Sequence, residues 1–252
     1  MSFRLDPLLF TGFMYALVRT MMVLTAAPPF NGPFLHTRVR IGLAASLSLV
    51  MADDLAPATD PEFPVFIGNL LMHAVIGLAF GFAIQLVLAS VQMAGALIDL
   101  FSGFSSAALY DPFTAASATP VARLFQLVTL AFLFAMNGHL LVVQGLMRSV
   151  EVDPVARLQI DPYVSALTTE AGKLLLSAAE IGLPVLASLF LAEVTLGLVA
   201  RAAPQLNVLV IGFAVKTGVA LITIGLAIPL ISDATAMLVV RGLRIGAGLS
   251  GG

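Results

Sequence analysis

Four ionisable side chains lie within apolar stretches of the sequence, and these residues have the most capacity for chemistry. In hydrocarbon such a group costs several kcal/mol unless it is paired or hydrated. In a transporter the four would bind protons or coupling ions. In an assembly they would make buried contacts between helices or subunits, and their spacing does not decide between the two uses. The four residues are Asp99, Glu180, Glu193 and Lys216.

The histidines do not show the spacing of a metal or catalytic site. His73 lies in an apolar stretch without a second histidine nearby, and the chain has no cysteine, which favours a structural role. His139 follows the helix-breaking pair Asn137-Gly138, but a single imidazole does not make a catalyst. Nucleophile-elbow and zinc-ligand motifs are also missing from the sequence. We therefore predict no enzymatic activity, no metal and no cofactor.

Two glycine patterns differ in what they predict. Residues 246–251 match G-x-G-x-x-G, but a dinucleotide site needs a helix directly after the glycines, so residues 246–252 are predicted to be a flexible tail. Gly77 and Gly81 form a G-x-x-x-G step, which allows a second helix to approach closely. The pattern does not say whether that helix belongs to the same chain.

The composition places these residues in a membrane protein. Of 252 residues, 60% are hydrophobic and only 10% are charged, against about 25% charged in an average soluble domain. Residues 63–98 and 124–147 contain no charged side chain, and about 20 apolar residues suffice to cross a bilayer. The twelve basic residues are scattered and the net charge is −2, which excludes a nucleic-acid partner.

The hydrophobic runs predict an all-α integral membrane protein of about six partly broken helical segments. The second segment is too short to span comfortably, and the third and fifth are too long for one straight span. Pro184 and Pro229 are expected to kink or break the fifth and sixth segments. The predicted segments lie near Leu8–Ala27, Thr37–Met51, Phe63–Leu100, Val121–Met147, Ala166–Val199 and Val208–Val240.

Three of the connections between these segments are distinctive, within what we predict to be one membrane-embedded domain, residues 1–252. Residues 53–64 form an acidic loop, and residues 148–165 form a polar loop with both charge signs. Residues 101–120 are rich in Gly, Ser, Ala, Thr and Phe and carry one charge, Asp111. Loops of that length without obvious structure are usually functional or disordered.

Several stretches of the chain resemble the FliR/SctT family, whose members are subunits of type III protein-export gates. They include the Tyr110-Asp111-Pro112 and Asn137-Gly138-His139 steps, and they occur in the family's order over nearly the whole chain. Each stretch alone is weakly informative, but together they are specific. The stretches are residues 27–33 (APPFNGP), 38–42 (RVRIG), 103–112, 119–124 (TPVARL), 137–140 (NGHL) and 197–213, which contains RAAPQLN at 201–207.

The resemblance implies a subunit that assembles with FliP-like and FliQ-like proteins into a helical channel for unfolded flagellar proteins. An FlhB-like subunit is implied nearby. The implied location is the bacterial inner membrane, as a multi-pass protein of the flagellar basal body. The resemblance also implies that the helices form bent hairpins in contact with the lipid bilayer, and that part of the assembly stands above the bilayer plane.

The resemblance further assigns a pore plug to residues 103–119. Relatives carry phenylalanines where this chain has Ser106 and Leu109, so a different set of apolar side chains is expected to make the seal. An ordinary connection between helices is the alternative interpretation. The predicted plug residues are Phe101, Gly103, Phe104, Ser106, Leu109, Tyr110 and Phe113.

The leading hypothesis is therefore a gate subunit that conducts polypeptide and performs no chemistry. An injectisome subunit of the SctT type is one alternative. An ion-coupled secondary transporter is another, in which Asp99, Glu180 and Glu193 would bind coupling ions. An inverted repeat would favour the transporter, and the two halves of the sequence show none.

Overall fold

The computed structural model describes residues 6–32, 35–106, 119–150, 160–205 and 207–248, and it contains helices and no strand within those ranges. The predicted all-α membrane fold is confirmed. A short 3₁₀ turn, Phe104–Ser106, follows the third helix. The α-helices are α1 (Pro7–Ala26), α2 (Thr37–Met51), α3 (Phe63–Ser102), α4 (Pro120–Ala135), α5 (Gly138–Arg148), α6 (Ile160–Ala202) and α7 (Val208–Gly248).

The ends of α1 and α3 follow from local chemistry. Asp6 caps α1, since its carboxylate accepts the Leu8 backbone N–H at 3.0 Å, and Pro7 occupies the first helical position, where no amide partner is needed. Helix α3 ends at Ser102 because Gly103 has a φ of 88°, in the left-handed region that glycine adopts without steric cost.

Two compact units make up the chain, and α3, α4, α6 and α7 each contribute to both. The first unit comprises residues 1–87, 133–170 and 238–252. Its described core is formed by one face of α1 against α2, the first half of α3 and α5. Buried core side chains of this unit include Tyr15, Val23, Leu24, Met51, Phe80, Ile84, Val142 and Leu146.

The second unit comprises residues 88–132 and 171–237. It joins the last turns of α3 to α4 and to the hairpin that α6 and α7 form around residues 203–207. Its interior is aliphatic, with small residues where helices approach closely. Buried core side chains of this unit include Val91, Ala94, Ile98, Phe125, Val185, Leu189, Ala220, Ile224 and Ile231.

The number of membrane spans differs from the six segments predicted. Four helices of the described chain are long and apolar enough to cross a membrane, or five spans result if the bent pair of α4 and α5 counts as one. Helix α2 has 15 residues and is too short, as expected. Helices α3, α6 and α7 have 40, 43 and 41 residues, which corresponds to about 60 Å each, twice the hydrocarbon thickness of a bilayer.

The helix break in the fourth segment occurs at Asn137. Helices α4 and α5 are bent by 71° there. Asn137 has a φ of 56°, a left-handed conformation that asparagine tolerates better than most residues. Gly138 follows, and a Cβ at this position would lie 3.1 Å from the Leu133 carbonyl oxygen and Cδ1. The Asn-Gly pair therefore encodes an elbow.

A kink or a break was predicted at the proline of α6 and of α7; neither helix breaks there, and a kink stays a prediction. Both helices are continuous through Pro184 and Pro229. A proline inside a membrane helix removes one hydrogen bond, but the freed carbonyl can be satisfied by local adjustment without ending the helix.

Two loop boundaries also need correction. Helix α6 begins at Ile160, so the predicted polar loop 148–165 is helical over its last six residues. Helix α7 extends to Gly248, so residues 246–248 of the predicted flexible tail are helical, and residues 249–252 lie outside the described part. The acidic loop agrees better, since the structure has turns and irregular backbone from Ala52 to Glu62 before α3 begins.

Candidate functional site

Asp99 joins the end of α3 to the start of α4. Its side chain is fully buried, and its two carboxylate oxygens accept the backbone N–H groups of Val121 at 3.1 Å and Ala122 at 2.9 Å. These are the second and third amides of α4, and Pro120 before them has no N–H to satisfy. The next amide, of Arg123, donates to the Thr119 carbonyl at 2.9 Å. The first-turn donors of α4 therefore all have partners.

This arrangement replaces the usual cap. Threonine is a common N-cap residue, because its hydroxyl accepts a first-turn amide of its own helix. In this chain Thr119 precedes α4, but its Oγ1 is buried and has no hydrogen-bond partner in the described structure. The carboxylate of Asp99 accepts the amides that the threonine would otherwise accept. A negative charge at a helix N-terminus also interacts favourably with the helix dipole.

Gly95 lies one turn before Asp99 and brings the two helix backbones together. A Cβ at Gly95 would lie 2.6 Å from the Cα of Ala122 and 2.8 Å from its nitrogen, which no real side chain allows. Val121 and Ala122 are buried beside it. At the end of α3, a Cβ at Gly103 would contact the ring of Phe213 at 3.6 Å. Residues 95–103 and 119–122 thus form one packed junction, which we call the α3–α4 junction.

The predicted plug residues fall on both sides of the boundary of the described structure. Phe101 is an exposed residue of the last turn of α3, Gly103 is the residue that ends this helix, and Phe104 and Ser106 belong to the 3₁₀ turn that follows. Leu109, Tyr110 and Phe113 lie outside the described residues. The plug assignment therefore stays a prediction.

The other three predicted charge contacts lie on α6 and α7. Glu193 of α6 and Lys216 of α7 form an ion pair across the hairpin. In the chain by itself, Glu180 is exposed and the Glu193 side chain is 61% exposed, so the chain alone does not bury these two residues. Only a partner chain or lipid could cover these two carboxylates, so a buried inter-subunit role for them stays a prediction.

Gly77 and Gly81 face α1 of the same chain. A Cβ at Gly77 would collide with the carbonyl oxygen of Arg19, and one at Gly81 would lie 2.7 Å from the Cβ of Ala26. Helix α1 therefore rests directly on the backbone of α3 at this step. The glycine pattern predicted a close partner helix but not which one.

One polar group that the sequence did not single out is the guanidinium of Arg19 on α1. Arg19 is fully buried, and its Nη1 donates to the backbone oxygen of Ser149 at 2.7 Å. Beside it, His73 is buried and stacks on Tyr15 with ring centroids 4.9 Å apart. The signal available in the sequence was an arginine within an apolar segment, which requires an internal partner.

The described residues contain no group of three His, Cys, Asp or Glu side chains placed to hold a metal ion. Among the residues whose burial is described, Asp99 carries the one buried carboxylate, and it accepts two amide hydrogens at the junction.

Comparison with known proteins decides the family. Residues 10–241 match the family described as bacterial export proteins, family 1. The chain belongs to this family. It is 31% identical over 224 residues to the flagellar biosynthetic protein FliR of Pectobacterium carotovorum subsp. carotovorum, covering 87% of this chain and 85% of that protein. It is 30% identical over 223 residues to FliR of Escherichia coli K12, with the same shares covered.

A relative from a second export system is also similar. The Yop proteins translocation protein T of Yersinia pestis is 28% identical over 187 residues, which is 72% of each chain. The resemblance to the FliR/SctT family inferred from the sequence motifs is thereby confirmed. Together with the apolar helices, membership of this export family confirms a bacterial inner-membrane protein and supports a subunit of a type III export apparatus.

Proposed function

We propose that this chain is a non-enzymatic subunit of the flagellar type III export gate. It forms, with FliP-like and FliQ-like subunits, a channel through which unfolded flagellar proteins pass, and residues 101–120 supply the plug. The observation that carries the proposal is the family match across residues 10–241. Three structural features add support: the exposed apolar face of α6, the position of the two ends of the plug segment, and the partners of the charged side chains.

The surface of α6 supports a multi-subunit assembly. Six large apolar side chains of this helix are each 61–65% exposed. Most of them recur every seven residues, the spacing by which one helix face packs along another helix. Glu180 lies on the same face, three residues before Leu183. A face of this kind suits the helices of neighbouring subunits better than lipid alone. The six residues are Leu175, Leu176, Leu183, Phe190, Leu191 and Leu198.

The ends of the plug segment support its role as an insert between fixed helices. The segment leaves α3 at Gly103 and enters α4 at Pro120, and these two points belong to the packed α3–α4 junction. A segment whose ends are held side by side can close a pore without adding strain to the helices that carry it. Its apolar residues suit a constriction, because hydrophobic constrictions stop ions by dewetting.

The charged side chains favour a polypeptide gate over an ion-coupled transporter. The carboxylate of Asp99 already accepts two backbone amides, and Glu193 is paired with Lys216. A coupling-ion site would need carboxylates that are buried and available for the ion. Of the three acids considered, only Glu180 has neither a hydrogen-bond partner nor an ion-pair partner among the described residues, and it is exposed.

A flagellar gate is favoured over an injectisome gate by the comparisons. The FliR proteins of three bacterial sources match at 30–31% identity over at least 85% of this chain, whereas the Yersinia protein matches at 28% over 72%. The SctT-type subunit is therefore the second candidate.

Purification of the tagged full chain, alone and after co-expression with FliP-like and FliQ-like partners, tests the proposal. We expect the chain alone to aggregate in detergent, because detergent covers the apolar side chains of α6 but offers no partner to the Glu180 carboxylate on the same face, and the co-expressed chain to elute as one monodisperse complex. A solitary, monodisperse chain that transports a small solute in proteoliposomes would contradict the gate and favour the transporter.

A further inference from the structure

We propose that Asp99 is the positioning residue of the gate, which holds the first turn of α4 against the last turns of α3, and that this junction stays closed in both the resting and the conducting gate. The inference rests on the proposed function and adds to it. It identifies which part of the chain stays fixed when polypeptide passes.

The buried carboxylate of Asp99 has a hydrogen-bond partner on each of its oxygens. Both carboxylate oxygens of Asp99 accept backbone amides, at 3.1 and 2.9 Å, and the residue is 0% exposed. A buried amide without a partner costs the full desolvation of the group, so opening the junction would leave two amides and a charge unsatisfied at once. A hydrogen bond between a carboxylate and a backbone amide is also stronger than one between neutral groups.

At the α3–α4 junction the two helices are packed too closely to slide past each other. Gly95 allows the backbone of Ala122 to approach so closely that no other residue fits, and Ala94, Val91 and Ile98 are completely buried on the same side of α3. Interiors packed at this density switch between discrete arrangements and do not deform gradually. The last turn of α3 is further held by Ser102, whose hydroxyl donates to the Asp99 backbone oxygen at 3.3 Å.

No other described group can replace Asp99 as the link between α3 and α4 without rearrangement. Thr119 is the natural cap of α4, yet its Oγ1 lies buried without a partner while Asp99 accepts the amides. A local cap on Thr119 would accept one of the two amides and would no longer join α4 to α3. The chain therefore uses a capping interaction from another helix, which gives residues 103–119 a fixed base formed by the ends of α3 and α4.

The primary experiment compares Asp99→Asn with Asp60→Asn in the assembled complex reconstituted in planar bilayers. Asparagine has nearly the same volume as aspartate, but its side-chain oxygen can accept only one of the two amides. Its NH₂ group is a donor and would face the other amide without bonding to it. We expect resting ion conductance to rise at least about ten-fold for Asp99→Asn, since a misplaced plug base opens a continuous water path. Asp60, an exposed residue of the acidic loop between α2 and α3, is the matched charge-to-amide control and should leave the conductance unchanged. An assembled Asp99→Asn complex that stays tight would overturn the inference.

Hydrogen exchange on the unmodified complex gives a second measurement that does not depend on a variant. Exchange at the amides of residues 121–122 is followed with the gate at rest and with an export substrate stalled in it by a tightly folded fusion domain. We expect equal protection, within about two-fold, in the two states. Loss of protection by ten-fold or more on stalling would show that the junction opens, and would overturn the inference even if Asp99→Asn does not assemble.

Deletion of residues 105–118 separates failure of this inference from failure of the proposed function. If the deleted gate leaks, adding Asp99→Asn to it should raise the conductance no further, because Asp99 acts through the segment that is already gone. A tight deleted gate contradicts the plug itself, whereas the exchange measurement at residues 121–122 still decides whether the junction is fixed.

Discussion

Asp99 and Arg19 are both fully buried, and both bond to backbone groups of another part of the chain. Asp99 accepts two amides of α4, and Arg19 donates to the backbone oxygen of Ser149 after α5. Backbone partners satisfy both carboxylate oxygens of Asp99 without introducing a second charge that must itself be desolvated, whereas the Nε and Nη2 of Arg19 are buried without a hydrogen-bond partner in the described structure. The Glu193–Lys216 pair differs, because both of its members are side chains and Glu193 lies on the surface of the chain.

Breaking the Glu193–Lys216 ion pair should impair assembly of the complex. Lys216→Met leaves the Glu193 carboxylate without a partner, which is costly once the hairpin is surrounded by apolar helices or lipid. We expect the yield of the assembled complex to fall by about five-fold, since a loss of 1 kcal/mol is already a factor of five. The double variant Glu193→Gln with Lys216→Met should recover most of the yield. Complex yield by affinity purification is the measurement, and normal yield with lost motility would instead indicate a transport role for the pair.

At the scale of the helices, close backbone contact between α1 and α3 depends on Gly77. A Cβ there collides with the backbone oxygen of Arg19, so Gly77→Ala must separate the two helices. We expect a loss of about 1–3 kcal/mol in the free energy of unfolding, the usual cost of overpacking. Gly68 on the same helix has no atom near its Cβ position, so Gly68→Ala should be neutral or stabilise by up to about 1 kcal/mol. Unfolding of the detergent-solubilised complex in denaturant measures both, and equal effects would contradict the packing described.

The sequence predicted the helices well and their breaks poorly. The predicted second helix, Thr37–Met51, has the bounds found in the structure, and the start of α3 at Phe63 is also correct. Hydrophobic runs and flanking polar residues set these limits directly. A kink or break was expected at Pro184 and Pro229, but both helices continue through these residues, whereas the break in the fourth segment occurs at the helix-breaking pair Asn137-Gly138.

The partners of the charged residues could be predicted only in part. An acid in an apolar stretch implied that Asp99 needs a partner, but a backbone amide has no sequence signature. The Glu193–Lys216 pair required knowledge of the hairpin register, since the two residues are 23 positions apart. Arg19, like Asp99, is a charged residue in an apolar stretch. Its partner is the backbone oxygen of Ser149, which the sequence could not predict either.

At the scale of the whole molecule, α6 and α7 leave most of their most apolar residues unburied. In the most apolar 18-residue stretch of each helix, 17% of the residues of α6 and 22% of those of α7 are buried, against 56% of those of α3. The three longest helices exceed the bilayer thickness about two-fold, so parts of them need cover outside the hydrocarbon region. Both features agree with membership of an export family whose members include subunits of two secretion systems.

Ion conductance of the reconstituted complex after deletion of residues 105–118 tests the central claim most directly. Deletion of residues 58–60 in the exposed acidic loop is the matched control, because it shortens a connection that has no proposed role in the pore. The account predicts that both complexes assemble, that the control stays as tight as the intact gate, and that the 105–118 deletion conducts ions at least about ten-fold more at rest. A 105–118 deletion that assembles normally and stays tight would contradict it, and the segment would then be a simple connection between α3 and α4.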